Sequence, residues 1–201
     1  MPSYRIRTAT PEDADAARVV MLDTVYHDFR SGYVPRWHGD IIDIEAAYLV
    51  PPRHTLLVAV EEGGGEGGGP AGEEGGGGTV VATAALDSRG PAHPPNPRWL
   101  AERYPSGETA QLRRVYVRPG HRRQGLARAL VRELLDFAAA DGGYRSVYLH
   151  TDPSVTGAEP FWRSLGKVVC DERDAAEVAA GDPAGTVHFE IPVPLGIPAP
   201  R

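Results

Sequence analysis

The chain has 201 residues, a formal net charge of -6 and 41% hydrophobic content, so it is long enough for one domain with insertions and too short for two full cores. Its acidity argues against a general nucleic-acid or anionic-membrane binder, which needs a positive footprint. A single cysteine, Cys170, rules out an intrachain disulfide. No apolar run approaches the roughly 20 residues that span a bilayer, and Met1 to Thr10 lacks a signal-peptide core. These features predict a cytoplasmic protein with no membrane partner.

Tyr4 to Thr8 alternates as a short strand. Thr10-Pro11-Glu12-Asp13 then supplies an N-cap, a proline at the first helical position and acids in the first turn. The helix that follows places Ala16, Val19, Val20, Leu22 and Val25 at near-helical spacing and fades before Ser31-Gly32. Ile41, Ile44, Tyr48 and Leu49 fit a second short helix, stopped by Pro51-Pro52. Thr55 to Val60 and Thr79 to Leu86 read as strands. Residues 62–78 between them are almost wholly Gly and Glu, a composition that buries nothing and predicts a flexible connection. Residues 87–107 hold Pro91, Pro94, Pro95, Pro97 and Pro105 and predict a long irregular insertion, either a lid or a plain surface excursion.

Ala110 to Val117 is the next strand, closed by Pro119-Gly120. Gln124 to Ala139 is the clearest helix, with Ala127, Leu130, Val131, Leu134 and Ala138 on one face. A strand over 145–149, a short helix over 158–165 stopped by Gly166, and strands over 167–170 and 186–193 complete the order. The sum is an α/β layered structure on a mixed, mostly antiparallel sheet, in one domain over 1–195 with a tail at 196–201.

Between Thr109 and Arg132 there is no Asp or Glu, whereas Arg113, Arg114, Arg118, Arg122, Arg123, Arg128 and Arg132 all fall there. A basic island in an acidic chain suggests a compact polyanionic ligand. Within it the pattern runs strand, tight turn, helix start, so the amides of the first helical turn and the positive end of the helix dipole favour a phosphate. Gly125 and Ala127 keep that approach open, and Arg122, Arg123 and Arg128 add charged donors.

Arg122-x-x-Gly125-x-Ala127, preceded by Val115-Tyr116-Val117-Arg118-Pro119, resembles the Q/R-x-x-G-x-G/A signature and fourth strand of the GNAT (GCN5-related N-acetyltransferase) superfamily. Ala158 to Gly166 resembles that family's A-x-x-x-Y-x-x-x-G helix, and Thr8 to Phe29 its first β-α unit. The resemblance implies a sheet of about seven strands flanked by helices and splayed between strands four and five. It implies that the backbone of Val115 and Val117 holds the pantetheine of acetyl-CoA, with Arg122, Arg123, Gln124, Gly125, Leu126, Ala127 and Arg128 around its pyrophosphate. It further implies acetyl transfer to a primary amine by direct attack in a ternary complex.

Three positions depart from the family pattern: the usual tyrosine acid falls at Trp162, the frequent strand-four glutamate at Gln111, and the helix asparagine near Val155. Candidates for the proton transfers are therefore His150, Glu108 and Tyr116. A module that binds acetyl-CoA without transferring it is the competing reading. Asp40, Asp43 and Glu45 could hold a cationic acceptor or lie on the outer face of a helix. The histidines lack metal-ligand spacing, so no metal is expected. The acceptor itself, whether small amine, amino acid, antibiotic or protein amino group, is unspecified, as is any homodimer.

Overall fold

The computed structural model describes residues 2–30, 32–62, 78–174 and 185–193. Strands β1 (Ser3–Thr8), β2 (Thr55–Glu62), β3 (Thr79–Asp87), β4 (Thr109–Val117), β5 (Ser146–Thr151), β6 (Lys167–Asp171) and β7 (Val187–Ile191) form one seven-stranded sheet in the order β1-β2-β3-β4-β5-β7-β6. Helices α1 (Ala14–His27), α2 (Pro35–Ile42), α3 (Arg98–Arg103), α4 (Leu126–Asp141) and α5 (Ala158–Arg163) flank it. The sheet is mostly antiparallel, with β4 parallel to β5, as the sequence predicts. Residues 63–77 of the expected Gly/Glu connection and the tail at 196–201 lie outside the described residues.

By its internal contacts the chain divides into two units, Met1–Ala85 with Arg114–Leu134, and Leu86–Arg113 with Leu135–Arg201. In the first, β1 runs antiparallel to β2 from Ser3↔Glu62 to Thr8↔Leu57. Pro11 opens a 3-10 turn that leads into α1, and Asp13 fixes the junction. It accepts the Thr10 N–H at 2.8 Å and a bidentate pair of bonds from Arg7 at 2.5 and 2.8 Å. The Arg7 guanidinium holds the Asp13 carboxyl below its ordinary range.

The buried face of α1 differs from the one its spacing suggests. Ala17, Val20, Met21, Thr24 and Val25 are buried, whereas Ala16 and Val19 are exposed. The face can include Thr24 because its hydroxyl donates to Val20 O at 3.1 Å, so no polar group is left unmet. These residues pack with Ile41, Ile44 and Tyr48 against Leu56, Val58 and Val60 of β2. The second helix expected over Ile41 to Leu49 is two pieces, α2 and a π turn at Glu45–Leu49.

The second unit holds the antiparallel pair β5–β7, in register from Val147↔Ile191 to Thr151↔Val187, with β6 on the far side of β7. Alternation sends Val147, Leu149, Val187, Phe189 and Ile191 to one buried side. The insertion at 87–107 is not irregular throughout. It contains α3, and Leu100 and Tyr104 pack on Tyr148. Its stem is closed by Gly90 N–H to Ser106 Oγ at 3.0 Å and Gly107 N–H to Ser88 O at 2.7 Å.

Candidate active site

The end of β4, the following turn and the start of α4 all lie in the first unit. Val115, Tyr116 and Val117 are half-buried. Arg118 N–H bonds Val81 O at 2.9 Å, a 3-10 turn follows at Pro119–His121, and the chain then adopts left-handed geometry twice, at Arg123 (φ 63°) and Gly125 (φ 83°). The first bond of α4 runs from Ala129 N–H to Gly125 O at 3.0 Å. The amides ahead of it therefore lead out of the helix start, as in any first turn. A Cβ on Gly125 would meet nothing within 4 Å, so glycine is required there by its positive φ rather than by close packing.

The basic island is less free than its composition suggests. Arg122 is exposed, yet its Nε donates to Val117 O at 2.9 Å and its Nη2 binds Asp28. Arg113 meets Asp87 at 2.7 Å, Arg118 lies 3.8 Å from Asp23, and Arg114 is held by Asp40. Four of the seven arginines thus answer acids from elsewhere in the chain. Arg123, Gln124 and Arg128 keep exposed side chains beside the helix start.

Arg114, within β4, has a φ of 52°, an unusual state for a residue with a Cβ. Its carbonyl accepts the Thr83 hydroxyl at 2.9 Å. Its guanidinium donates to both Asp40 oxygens (2.8 and 2.7 Å), to Trp37 O (2.6 Å) and to Tyr116 Oη (3.2 Å). Burial works against that charge, yet Tyr116 and Asp40 raise the Arg114 pKa above its ordinary value. Asp40 also accepts the Tyr48 hydroxyl. Of the three acids considered for a cationic acceptor, Asp40 is therefore committed to Arg114, and Asp43 caps Ala46 N–H at 3.1 Å; Glu45 is exposed.

The proton-transfer candidates stand in different surroundings. The Tyr116 phenol receives Arg114, and its ring meets Phe29 edge-on at 5.7 Å. Glu108 is exposed and paired with Arg145 at 3.2 Å. His150 is exposed near the end of β5, on the same side of the sheet as Tyr148, with ring centroids 6.2 Å apart. Gln111 is buried and accepts Arg113 Nη2 at 3.0 Å, and Trp162 is buried against Phe161. Cys170 is half-buried, and burial with nearby Glu172 and Asp171 pushes its thiol pKa up, against a nucleophilic role.

A polar chain in the second unit escaped the sequence reading. Tyr148 Oη lies 2.6 Å from His188 Nδ1, and His188 Nε2 lies 3.1 Å from Glu172 Oε1. Its signal was available in part: period-two alternation puts Tyr148 and His150 on one side of β5, and His188 and Glu190 alternate with the apolar Val187, Phe189 and Ile191 along β7. Only the pairing of His150 with His188 brings the groups together. Among the described residues no group of three or more His, Cys, Asp or Glu could hold a metal ion, and no helix is long and apolar enough to cross a membrane.

Comparison with known proteins bears on the fold and the family. The human protein N-acetyltransferase 8 is 45% identical over 56 residues, 28% of this chain, and the chain spans only 24% of that relative's length. Solved structures share the fold at low identity. A GCN5-related N-acetyltransferase from Kribbella flavida has a TM-score of 0.64 at 19% identity, covering 94% of this chain and 97% of its own. The yncA protein of Salmonella typhimurium, solved with its cofactor acetyl-CoA, has a TM-score of 0.61 at 18% identity, covering 99% and 98%. Arabidopsis thaliana NAA60, in complex with a bisubstrate analogue, has a TM-score of 0.62 at 13% identity, covering 96% and 100%. The model of the acetyltransferase (GNAT) family matches residues 22–166, most of the chain, and the protein belongs to that family.

Proposed function

We propose that this protein is a cytoplasmic N-acetyltransferase that moves the acetyl group of acetyl-CoA to a primary amine by direct attack in a ternary complex. The observation that carries the reading is the start of α4, where Arg123 and Gly125 both adopt left-handed backbone geometry ahead of a 16-residue helix. The unpaired amides of such a helix start and the positive end of the helix dipole both favour a pyrophosphate. The backbone from Arg122 to Arg128 binds the pyrophosphate, with Arg123 and Arg128 adding charge. Arg122 acts chiefly as a brace, since it ties the turn to Val117 and Asp28. The backbone of Val115 and Val117 holds the pantetheine.

The chemical step needs a neutral amine and a proton for the departing thiolate. His150 is the group we assign to the ammonium proton, because it is exposed and a neutral imidazole accepts one near neutral pH. Glu108 is spent on Arg145, and the Tyr116 phenol, held by Arg114, is the remaining candidate donor to the thiolate. The burial of Gln111 and Trp162, which stand where the family commonly has a glutamate and a tyrosine, favours one second reading: a module that binds acetyl-CoA without transfer.

Calorimetric titration of acetyl-CoA, followed by coenzyme A release across a panel of primary amines, tests both. Micromolar binding that is lost in Gly125→Trp, with the melting curve of the variant still cooperative, is the expected result. Binding without turnover on any amine selects the second reading, and no binding to the wild type removes the site.

A further inference from the structure

Arg114 meets more partners than its charge requires, and one of them is not an acid. Two contacts go to the Asp40 oxygens and a third, at 2.6 Å, to Trp37 O, all on α2. The fourth runs along its own strand, from Nη1 to Tyr116 Oη at 3.2 Å. Asp40 is held in turn by the Tyr48 hydroxyl, and the Arg114 carbonyl is held from β3 by Thr83 at 2.9 Å. Side chain and carbonyl are thus both fixed around a left-handed φ of 52°, the condition under which a strained residue persists.

The consequence falls on the phenol. A guanidinium only donates, so the Tyr116 oxygen accepts from Arg114 and its own hydrogen points elsewhere. Among the described residues nothing accepts that hydrogen: Arg114 is the hydroxyl's one hydrogen-bond partner, and the ring rests edge-on against Phe29 at 5.7 Å. A phenylalanine would keep the ring contact without half-burying a hydroxyl. The level of the hydroxyl along β4 also counts. An arm that leaves a pyrophosphate at residues 122–128 passes Val117 and then Val115, so its sulfur end lies on the Arg114 side of Val115. By bonding Arg114, the phenol is drawn to that end of the strand and away from the pyrophosphate end.

We infer that Arg114, braced by Asp40 and Trp37 O, is a positioning residue that aims the Tyr116 O–H at the departing sulfur of acetyl-CoA. The inference deepens the acetyltransferase reading above and rests on it. As the amine nitrogen bonds the acetyl carbon, the carbon–sulfur bond breaks with its electron pair on sulfur, and the Tyr116 proton passes to that sulfur. The acylated nitrogen gives up a proton through water to the Tyr116 oxygen, so the phenol is restored and charge and protons balance. In between, the negative oxygen faces Arg114. Burial opposes the Arg114 charge, yet Tyr116 and Asp40 raise its pKa above the ordinary value, so it stays a cation throughout. Arg114 itself touches neither amine nor thioester and acts only through the phenol.

The test uses the full chain and an amine found in the panel above, with Tyr116→Phe, Arg114→Lys and the double variant beside the wild type. Tyr116→Phe keeps the ring and the Arg114–Asp40 pair while removing the hydroxyl. Arg114→Lys keeps a cation for Asp40 but loses the fixed fork that reaches the phenol. Single-turnover acetyl transfer is expected to slow about 100-fold or more in Tyr116→Phe, the range of general acid–base effects, with the calorimetric affinity for acetyl-CoA unchanged. Arg114→Lys should slow it about 10-fold, the worth of one hydrogen bond to a charged group. In the Tyr116→Phe background, Arg114→Lys should slow it no further, because the two residues act as one unit. Equal effects of Arg114→Lys in both backgrounds would make Arg114 merely structural and overturn the inference. A wild-type rate in Tyr116→Phe overturns it even if Arg114→Lys does not fold. If the wild type binds acetyl-CoA but acetylates no amine, the enzyme reading fails first and the positioning role falls with it.

Discussion

Arg114 is the residue on which the first unit is tied together, because it links β4 to α2 through Asp40. The two side chains are only 10% and 11% exposed, so neither charge can be returned to water if its partner is lost. Removing one partner of such a pair costs about 3–5 kcal/mol, since the remaining ion is buried and unmatched. Asp40→Ala is therefore expected to lower the unfolding free energy from urea titration by that order, with the Tyr48 hydroxyl also losing its acceptor. Glu108→Ala offers the contrast, because its partner Arg145 is 80% exposed and Glu108 49%; exposed pairs contribute at most about 1 kcal/mol. Equal losses in the two variants would show that the Arg114 pair is not insulated from solvent.

Among the elements, the insertion at 87–107 packs on β5 through α3 and the residue that follows it. Leu100 and Tyr104 are buried, Tyr104 donates to Glu190, and burial pushes the Tyr104 pKa up to about 12. Its stem leaves no room at Gly90, where a Cβ would lie 1.8 Å from Tyr104 O. Because that atom is backbone, Gly90→Ala must move the chain, and the expected result is faster proteolytic cleavage within 87–107 than in the wild type. Cleavage at an unchanged rate would mean that the stem is already open. Prolines alone made the segment read as irregular, since the sequence does not disclose that Leu100 and Tyr104 find Tyr148. The β4–turn–α4 stretch was legible for the opposite reason: its turn residues, glycine and amphipathic period are all local. What pairs with each arginine was not, because Asp40 and Arg114 are 74 positions apart. On α1 the spacing gives Val20 and Val25 correctly but Ala16 and Val19 in place of Ala17, Met21 and Thr24, because Thr24 is polar in the sequence and its bond to Val20 O is made only in the helix.

Across the whole molecule, acid sensitivity follows from two histidines kept neutral by the fold. His38 is buried and its Nδ1 accepts the Val34 N–H at 2.9 Å; His188 is buried and its Nδ1 faces the Tyr148 hydroxyl. Protonation would turn each acceptor into a donor. Burial, the largest influence in both, lowers the two pKa values below 6.5, with Arg114 adding to the effect at His38 and Glu172 opposing it at His188. The unfolded chain then binds more protons than the native one once the pH falls below about 6.5, so stability declines from there down to the native pKa values. The slope is at most about 1.4 kcal/mol per pH unit for each histidine. Asp13 and Glu190 behave oppositely in origin but not in sign. Arg7 holds Asp13 ionised, and Tyr104, Lys167 and Arg103 outweigh the burial of Glu190, so both carboxyl pKa values are depressed and their contribution is lost only in a lower window, below about pH 4. Urea midpoints measured from pH 7 to pH 3 should accordingly fall in two stages, and His38→Asn with His188→Asn, which keep an acceptor oxygen without a titrating ring, should flatten the upper stage alone. A wild type equally stable at pH 7 and pH 5 would mean that these histidines are not held neutral by the fold.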